Sequence, residues 1–511
     1  MAETNRLEKL KQDVKSREGS FVPDMNPMWR DVALYRLKWF SPNSSRLQWR
    51  AANMAELAQI VPIMINPHWS LAGEHLNPFL SVVWGLRSNL SLEEKQRQLA
   101  AIGYEDCYDA IMTLENTYFS EQSGTAPGEV LEELWDGHPA SDEYNEVFWS
   151  HGWKENHSIR NYAMLLRDGY GGLRKRLETE LAAHPITAAD YPLRENFLRG
   201  AMFICDAGLT IGHRYAKLAA TMAAETEDES ERRRLQNMAE CSRLTVENGA
   251  TDFHDAVQLL WFGHLITCAE DGINANSLGR IDQFLYPWYR QDIDAGRITR
   301  EDAVELMIEL ALKLYLDYDV QAITLGGCDS TGKCAVNELS YVILEATEYF
   351  GELRDLAVRI SSDTPVEFLR ACSRLVIRGG GIPFFFNDEC FIPALSERGI
   401  AQEDARDYAP IGCVELTIPG KTNPHAVSGW FNLAKCLELT LFNGVDPVND
   451  VQMGPTTGAL SDFRDFNAFY QAFQQQVEYF ASRMIYHCRR GELCQRQFAP
   501  LPGWSLLTDD C

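Results

Sequence analysis

The stretch from Leu356 to Phe386 constrains this chain more than any other. Leu356–Ile360 (LAVRI) is a short apolar run suited to a buried strand, and Ile382–Phe386 (IPFFF) is a second. Between them, Thr364-Pro365-Val366-Glu367 reads as a helix start. Thr364 would be the cap, Pro365 the first helical residue, and Glu367 would reach back to the cap amide. The helix is expected to run to about Arg378, where Gly379-Gly380-Gly381 stops it. Strand, buried helix, strand at this spacing is a βαβ unit, and its two strands must lie parallel because a full crossover separates them.

The rest of the chain agrees with that frame. Thr299-Arg300-Glu301-Asp302 opens a helix that is apolar almost all round, and it leads into the strand-like Val320–Leu325 (VQAITL). Upstream of about residue 260 the pattern is mainly helical, with helices expected over Leu193–Ala224 and from Phe253 into Ile266. The charged run Glu225–Arg234 reads as a solvated loop or helix end. The expected fold class is α/β with a helical N-terminal half, divided into a helical part of about 1–260 and an α/β part of about 261–511.

The charge balance excludes some functions. The chain has 511 residues with 73 acidic against 47 basic side chains, a net charge of −26, which would be repelled by nucleic acid and by anionic membranes. The N-terminal MAETNRLEKLKQD lacks the apolar centre of a secretory signal, and no stretch reaches the ~18 apolar residues of a membrane helix. A cytoplasmic location is expected. The 13 cysteines show no CxxC pair, so they read as reduced core thiols rather than as disulfides or a zinc or iron–sulfur site. No metal is expected.

One cysteine stands apart. In Ala409-Pro410-Ile411-Gly412-Cys413-Val414-Glu415-Leu416-Thr417-Ile418-Pro419-Gly420-Lys421, two prolines and two glycines oppose a helix, so an extended loop closed by a turn is expected. Two short helical pieces, Pro393–Arg398 and Gln402–Tyr408, should precede it. In extended backbone Cys413 and Glu415 face one space and Val414 anchors the other side. Gly412 would let another backbone come close to the sulfur. A thiol beside a carboxylate stays protonated. It is a poor nucleophile and a suitable hydrogen-atom donor, with the carboxylate free to act as a base. Coincidence and nucleophilic chemistry remain alternatives at this point.

The run Arg406-Asp407-Tyr408-Ala409-Pro410-Ile411-Gly412-Cys413-Val414-Glu415, continued by Pro419-Gly420-Lys421-Thr422 and Phe431-Asn432-Leu433-Ala434, resembles the finger loop of the glycyl radical enzymes. It is most similar to the glycerol/diol dehydratase-like branch of the pyruvate formate-lyase superfamily. Gly279-Arg280-Ile281-Asp282-Gln283-Phe284-Leu285-Tyr286-Pro287, Ile323-Thr324-Leu325-Gly326-Gly327, Phe386-Asn387-Asp388-Glu389 and Ser505-Leu506-Leu507-Thr508-Asp509-Asp510-Cys511 agree in the same order. The resemblance implies a ten-stranded barrel of two half-barrels wrapped by helices, with the cysteine loop inside.

It also implies roles. Cys413 would be the thiyl that abstracts hydrogen from a small organic substrate, and Glu415 the base. His157, in Asn156-His157-Ser158-Ile159, falls where dehydratase members place a histidine that protonates the leaving group. The single cysteine, preceded by Gly412 and followed by Val414, argues against the two-sulfur acyl relay of pyruvate formate-lyase proper. Val427 stands where glycerol-type members carry an aspartate, and Asn274-Ala275 where they carry His-Ser. A larger or less polar substrate is therefore expected, losing a group other than water. Asn274, Asn276, His425, Ser428 and Trp430 are the candidate pocket residues, although core packing is the simpler reading of Trp430 and Phe431.

The chain contains no Arg-Val-x-Gly-Tyr-like motif to hold a glycyl radical. It reads as a fragment, a split enzyme or a decayed copy, with apolar edges left by missing barrel strands. No bound cofactor is expected. The expected partners are a radical S-adenosylmethionine activating enzyme, a separate polypeptide carrying the glycyl radical, and a second copy of the chain. The leading function is a dehydratase-like C–X lyase, inactive without the radical segment. A non-catalytic fragment or scaffold, and a decarboxylase on the same barrel, are the alternatives. A Cys–His acyl transferase is disfavoured by Glu415 beside the sulfur.

Overall fold

The computed structural model describes residues 2–17, 46–61, 63–73, 147–150, 157–271, 275–316, 321–351, 355–412, 414–422, 429–498, 503 and 506–508. The chain divides into two compact units, one of residues 1–114, 156–424 and 501–511, the other of residues 115–155 and 425–500.

The larger unit begins with helices α1 (Ala2–Arg17) and α2 (Arg46–Ile60), then α3 (Tyr162–Ala183), α4 (Tyr191–Glu225), α5 (Glu229–Asn248) and α6 (Phe253–Asp271). α4 packs against α2, α3 and α5. Its small residues permit the close approach: a Cβ at Gly208 would sit 2.2 Å from the Tyr170 ring. Asp228 caps α5 by accepting from the Ser230 and Glu231 amides at 2.8 and 3.1 Å. α6 is buried around its circumference, Trp261 and Phe262 included. Each such aromatic or aliphatic side chain contributes about 1.5–3 kcal/mol on leaving water.

After α7 (Arg300–Leu316) the unit changes to strand–helix alternation: β1 (Ile323–Gly326), α8 (Glu338–Phe350), β2 (Leu356–Ile360), α9 (Val366–Arg378) and β3 (Phe384–Asn387). The three strands form one parallel sheet in the order β1-β2-β3, with Ile323 opposite Leu356 and Ala357 opposite Phe384. The expected βαβ unit is present, and α7 is the expected buried helix leading into the sheet. Thr299 caps α7 as its sequence suggests, accepting from the Asp302 amide at 3.1 Å while Asp302 accepts from the Thr299 amide at 2.8 Å.

Four local expectations need correction. Thr364 does not cap α9, because its hydroxyl accepts from the Ser361 amide at 2.8 Å in the preceding turn, and Glu367 pairs with Arg370 instead. α9 is amphipathic rather than buried: Phe368, Ala371, Cys372 and Leu375 face inward, while Val376 and Ile377 are exposed. The helix placed at Pro393 begins earlier, as α10 (Asp388–Glu397), because the Asn387 side chain accepts from the Glu389 amide at 3.0 Å. The second expected piece ends at Arg406.

The smaller unit pairs Phe148–Ser150 antiparallel with Gly429–Phe431 and adds helices Leu433–Leu441 and Phe466–Phe498. Its core gathers Val147, Phe148, Cys436, Leu439 and Phe480, with Phe431 packed at the margin. Trp430 is not core. It is 64% exposed, because strand alternation turns it to the face opposite Phe431. Among the described residues no helix is long and apolar enough to cross a membrane.

Candidate active site

The sheet and the α3 entry meet at the loop singled out by sequence. β4 (Ala409–Ile411) and β5 (Glu415–Thr417) form an antiparallel hairpin with Ile411 opposite Glu415. The Val414 amide donates to the Ile411 carbonyl at 3.0 Å and closes a three-residue reversal. Gly412 takes φ +49° and Val414 φ +146°, so the loop is not extended through this point. The i, i+2 argument for Cys413 and Glu415 therefore does not apply. Cys413 itself lies outside the described residues, as do Val427, His425, Ser428 and Asn274. Val414 is 43% exposed and is no anchor.

What the reversal does is bring other groups together. A Cβ at Gly412 would stand 2.1 Å from His157 Cδ2, 2.7 Å from His157 Nε2 and 3.0 Å from Glu415 Oε2. Gly412 thus makes room for an imidazole, not for the second backbone that its sequence suggested. His157 and Glu415, 258 positions apart by numbering, converge on the peptide that precedes Cys413.

Several hydrogen bonds fix this convergence. Ser277 Oγ accepts from the Gly412 amide at 3.2 Å and from the Ala322 amide at 3.0 Å, tying the hairpin to the start of β1. The Ser277 amide donates to Ser158 O at 3.0 Å, and the Gly420 amide donates to Ile159 O at 2.8 Å. The segment after His157 is therefore stitched to both sides of the loop. His157 (φ +61°) and Ala275 (φ +56°) are non-glycine residues in left-handed backbone, a form of strain that gathers at functional sites. His157 is 5% exposed, so it is no surface histidine. Asn276 is buried beside it and accepts from Ser158 Oγ at 3.4 Å. Glu415 Oε2 accepts from the Val414 amide at 3.2 Å.

Two buried arginines grip the segment entering the hairpin. Arg280 donates to Asp407 at 2.6 Å and to the carbonyls of Gly326 and Cys328 at 3.1 and 2.7 Å. Arg359, at the end of β2, donates to both oxygens of Asp388 at 2.8 and 2.9 Å, and to the carbonyls of Tyr408 and Arg406 at 2.9 and 2.8 Å. Its guanidinium lies 4.0 Å from the centre of the Tyr408 ring, and Tyr408 donates to Asp388 at 2.8 Å.

Sequence reasoning missed Asp355. It sits immediately ahead of β2, is 3% exposed, and its Oδ2 has no hydrogen-bond partner among the described residues. Burial first, and the Glu415 carboxylate second, push its carboxyl up to about 7. The available signal was a carboxylate abutting a strand that is apolar except for Arg359. A second grouping also escaped the spacing argument: Cys241 of α5 and His254 and Asp255 of α6 bring one ligand-type atom each within 4.8 Å of one another. Burial and then Asp255 hold the Cys241 thiol well above its usual range, so it stays protonated there.

The pyruvate formate lyase-like family model matches residues 150–511. Isethionate sulfite-lyase of Oleidesulfovibrio alaskensis is 32% identical over 342 residues, 63% of this chain and 41% of that protein. Trans-4-hydroxy-L-proline dehydratase of Clostridioides difficile is 31% identical over 366 residues, 68% of this chain and 46% of that protein. The glycerol-bound B12-independent glycerol dehydratase of Clostridium butyricum superposes with a TM-score of 0.82 at 28% identity, covering 99% of this chain and 66% of that one. This chain spans about half the length of the curated relatives it matches. It belongs to the pyruvate formate lyase-like family, on the dehydratase-like branch of the glycyl radical enzymes, and its fold is the α/β barrel of that group. Its relatives there are C–X lyases and dehydratases.

Proposed function

We propose that this chain carries the cysteine-loop chemistry of a glycyl radical C–X lyase acting on a small organic substrate. The observation that carries the reading is the convergence of His157 and Glu415 on Gly412, one residue before Cys413. A glycyl radical, installed by a radical S-adenosylmethionine activase, supplies the one-electron oxidation of the Cys413 thiol. The partner this requires is a polypeptide segment bearing that glycine, and an oxygen-free cytoplasm is the compartment the chemistry suits.

The chain's own residues do the rest. The oxidised Cys413 sulfur takes a hydrogen atom from a hydroxyl-bearing carbon, forming S–H and a carbon radical. Glu415 accepts the proton of that hydroxyl. His157 gives a proton to the leaving group on the adjacent carbon as the C–X bond breaks with its electron pair. The product radical then recovers its hydrogen atom from Cys413. Asn276, which accepts from Ser158 Oγ next to His157 in the chain, is a substrate contact in this scheme. An acid and a base held together at one peptide are what such a proton relay requires, and each contributes typically 10²–10⁴-fold.

The test is electron paramagnetic resonance under strict anaerobiosis, after incubation with an activase and a polypeptide supplying the radical glycine. A glycyl doublet, with substrate turnover lost in Cys413→Ser and Glu415→Gln, supports the lyase. A folded mixture that gives no radical, with an activase proven on a full-length relative, points to an inert scaffold.

A further inference from the structure

Glu415 is not the only carboxyl of its neighbourhood. The Ile323 amide donates to the Asp355 carbonyl at 3.2 Å, and Ala322 beside it donates to the same Ser277 hydroxyl that holds Gly412. Asp355 therefore stands at the sheet end to which the hairpin is tied. Its carboxyl is buried, and Glu415 is the charged group that acts on it. No cation among the described residues offsets this. The buried arginines of the same unit are committed elsewhere: Arg359 to Asp388, Arg280 to Asp407, and Arg160 to Glu270 within 3.9 Å.

A buried carboxylate without a partner is expensive. Asp282, a buried aspartate of the same unit, also leaves one oxygen, Oδ1, without a partner among the described residues, but its Oδ2 accepts from the Gly326 amide at 2.8 Å and the Ser340 hydroxyl at 2.6 Å. Among the described residues nothing donates to Asp355 Oδ2. A cation or a strong donor arriving from outside would supply a partner that the described residues do not.

We infer that Asp355 is a substrate-selecting residue of the Glu415 site, and that the pair favours a small alcohol bearing a protonated amine over one bearing a sulfonate or carboxylate. This rests on the lyase reading for the meaning of the site, but not for its test. An ammonium group between the two carboxyls satisfies Oδ2 and separates two like charges. A sulfonate in the same place adds a further negative charge, and the buried arginines among the described residues are already paired.

The measurement is calorimetric binding to the purified full chain, with no radical present, using three molecules that share a hydroxyethyl skeleton. They are 2-aminoethanol, ethylene glycol and 2-hydroxyethanesulfonate. The expected order is amine, then glycol, then sulfonate, with at least a tenfold gap between the first and last. Asp355→Asn, nearly isosteric and checked by its melting curve, should reduce that gap at least tenfold. Equal affinities, preference for the sulfonate, an order unchanged in Asp355→Asn, or no binding of any of the three overturns the inference. Failure of the lyase reading would appear separately, as absence of a radical or of turnover with the binding order intact.

Discussion

Gly412 is the residue at which geometry and chemistry are least separable. Its φ of +49° is costly for any residue with a Cβ, and the space that a Cβ would need is filled by His157 and Glu415. Gly412→Ala should therefore lower stability by about 1–3 kcal/mol and displace the imidazole. The measurements are a denaturation curve and the chemical shift of the His157 ring. An unshifted ring would contradict the packing described. Asp355 makes a second prediction at this scale. Its folded-state carboxyl titrates near 7, above the ~3.9 of an unfolded aspartate. The folded chain thus binds more protons between those values. The associated stability is fully present below about pH 4 and is lost as pH rises through 7. Asp355→Asn removes that dependence. Relative to the parent, its melting temperature should rise from pH 5 to pH 8, with a slope of up to about 1.4 kcal/mol per pH unit in the difference. A flat difference would mean that the carboxyl is ionised throughout.

At the scale of elements, Arg359 joins three pieces: the end of β2, the first turn of α10 through Asp388, and the Arg406–Tyr408 segment that feeds β4. Removing one partner of a buried pair leaves the other charge exposed to a low-dielectric interior, at a cost of about 3–5 kcal/mol. A lysine has neither the fork nor the planar face that stacks on Tyr408. Arg359→Lys should therefore destabilise the chain, and its amide exchange should quicken at residues 409–417 more than in α4 and α5. Uniform quickening would mean that the arginine holds the fold and not the hairpin. Much of this architecture is legible in the sequence, and the reason is locality. LAVRI, the triple glycine and IPFFF each declare themselves within a few residues. The Arg359 clamp, the meeting of His157 with Gly412 and the influence of Glu415 on Asp355 are not local. Asp355 follows Glu352, Leu353 and Arg354, a charged run that on its own reads as solvated. Only the parallel sheet brings it to the hairpin. The extended reading of the loop failed for a related reason. Gly412 permits either backbone sign, and the choice is made by the pairing of Ile411 with Glu415 and by the Ser277 hydroxyl.

For the molecule as a whole, the decisive balance lies between exposed apolar faces and net charge. In the larger unit β3 is an edge of its sheet among the described residues, with Phe384 and Phe385 partly in water and Ile377 of α9 83% exposed. In the smaller unit the helix Leu433–Leu441 exposes Leu433, Leu437 and Leu441, spaced one turn apart on a single face. Contiguous apolar surface and an unpaired strand edge both favour association. A net charge of −26 opposes it, because approaching copies repel. The two act over different ranges. Repulsion falls with the Debye length, from about 30 Å at 0.01 M salt to about 3 Å at 1 M, whereas apolar contact is not screened. The purified chain should thus bind a hydrophobic dye at any ionic strength, yet scatter light increasingly as salt is raised from 0.01 to 0.5 M. Phe385→Lys on the edge strand and Leu437→Lys on the open helix face should each lower the scattering at high salt without lowering the melting temperature, since neither side chain is buried. Scattering that falls with salt, or that both lysine variants leave unchanged, would place the association in electrostatics rather than in these two faces.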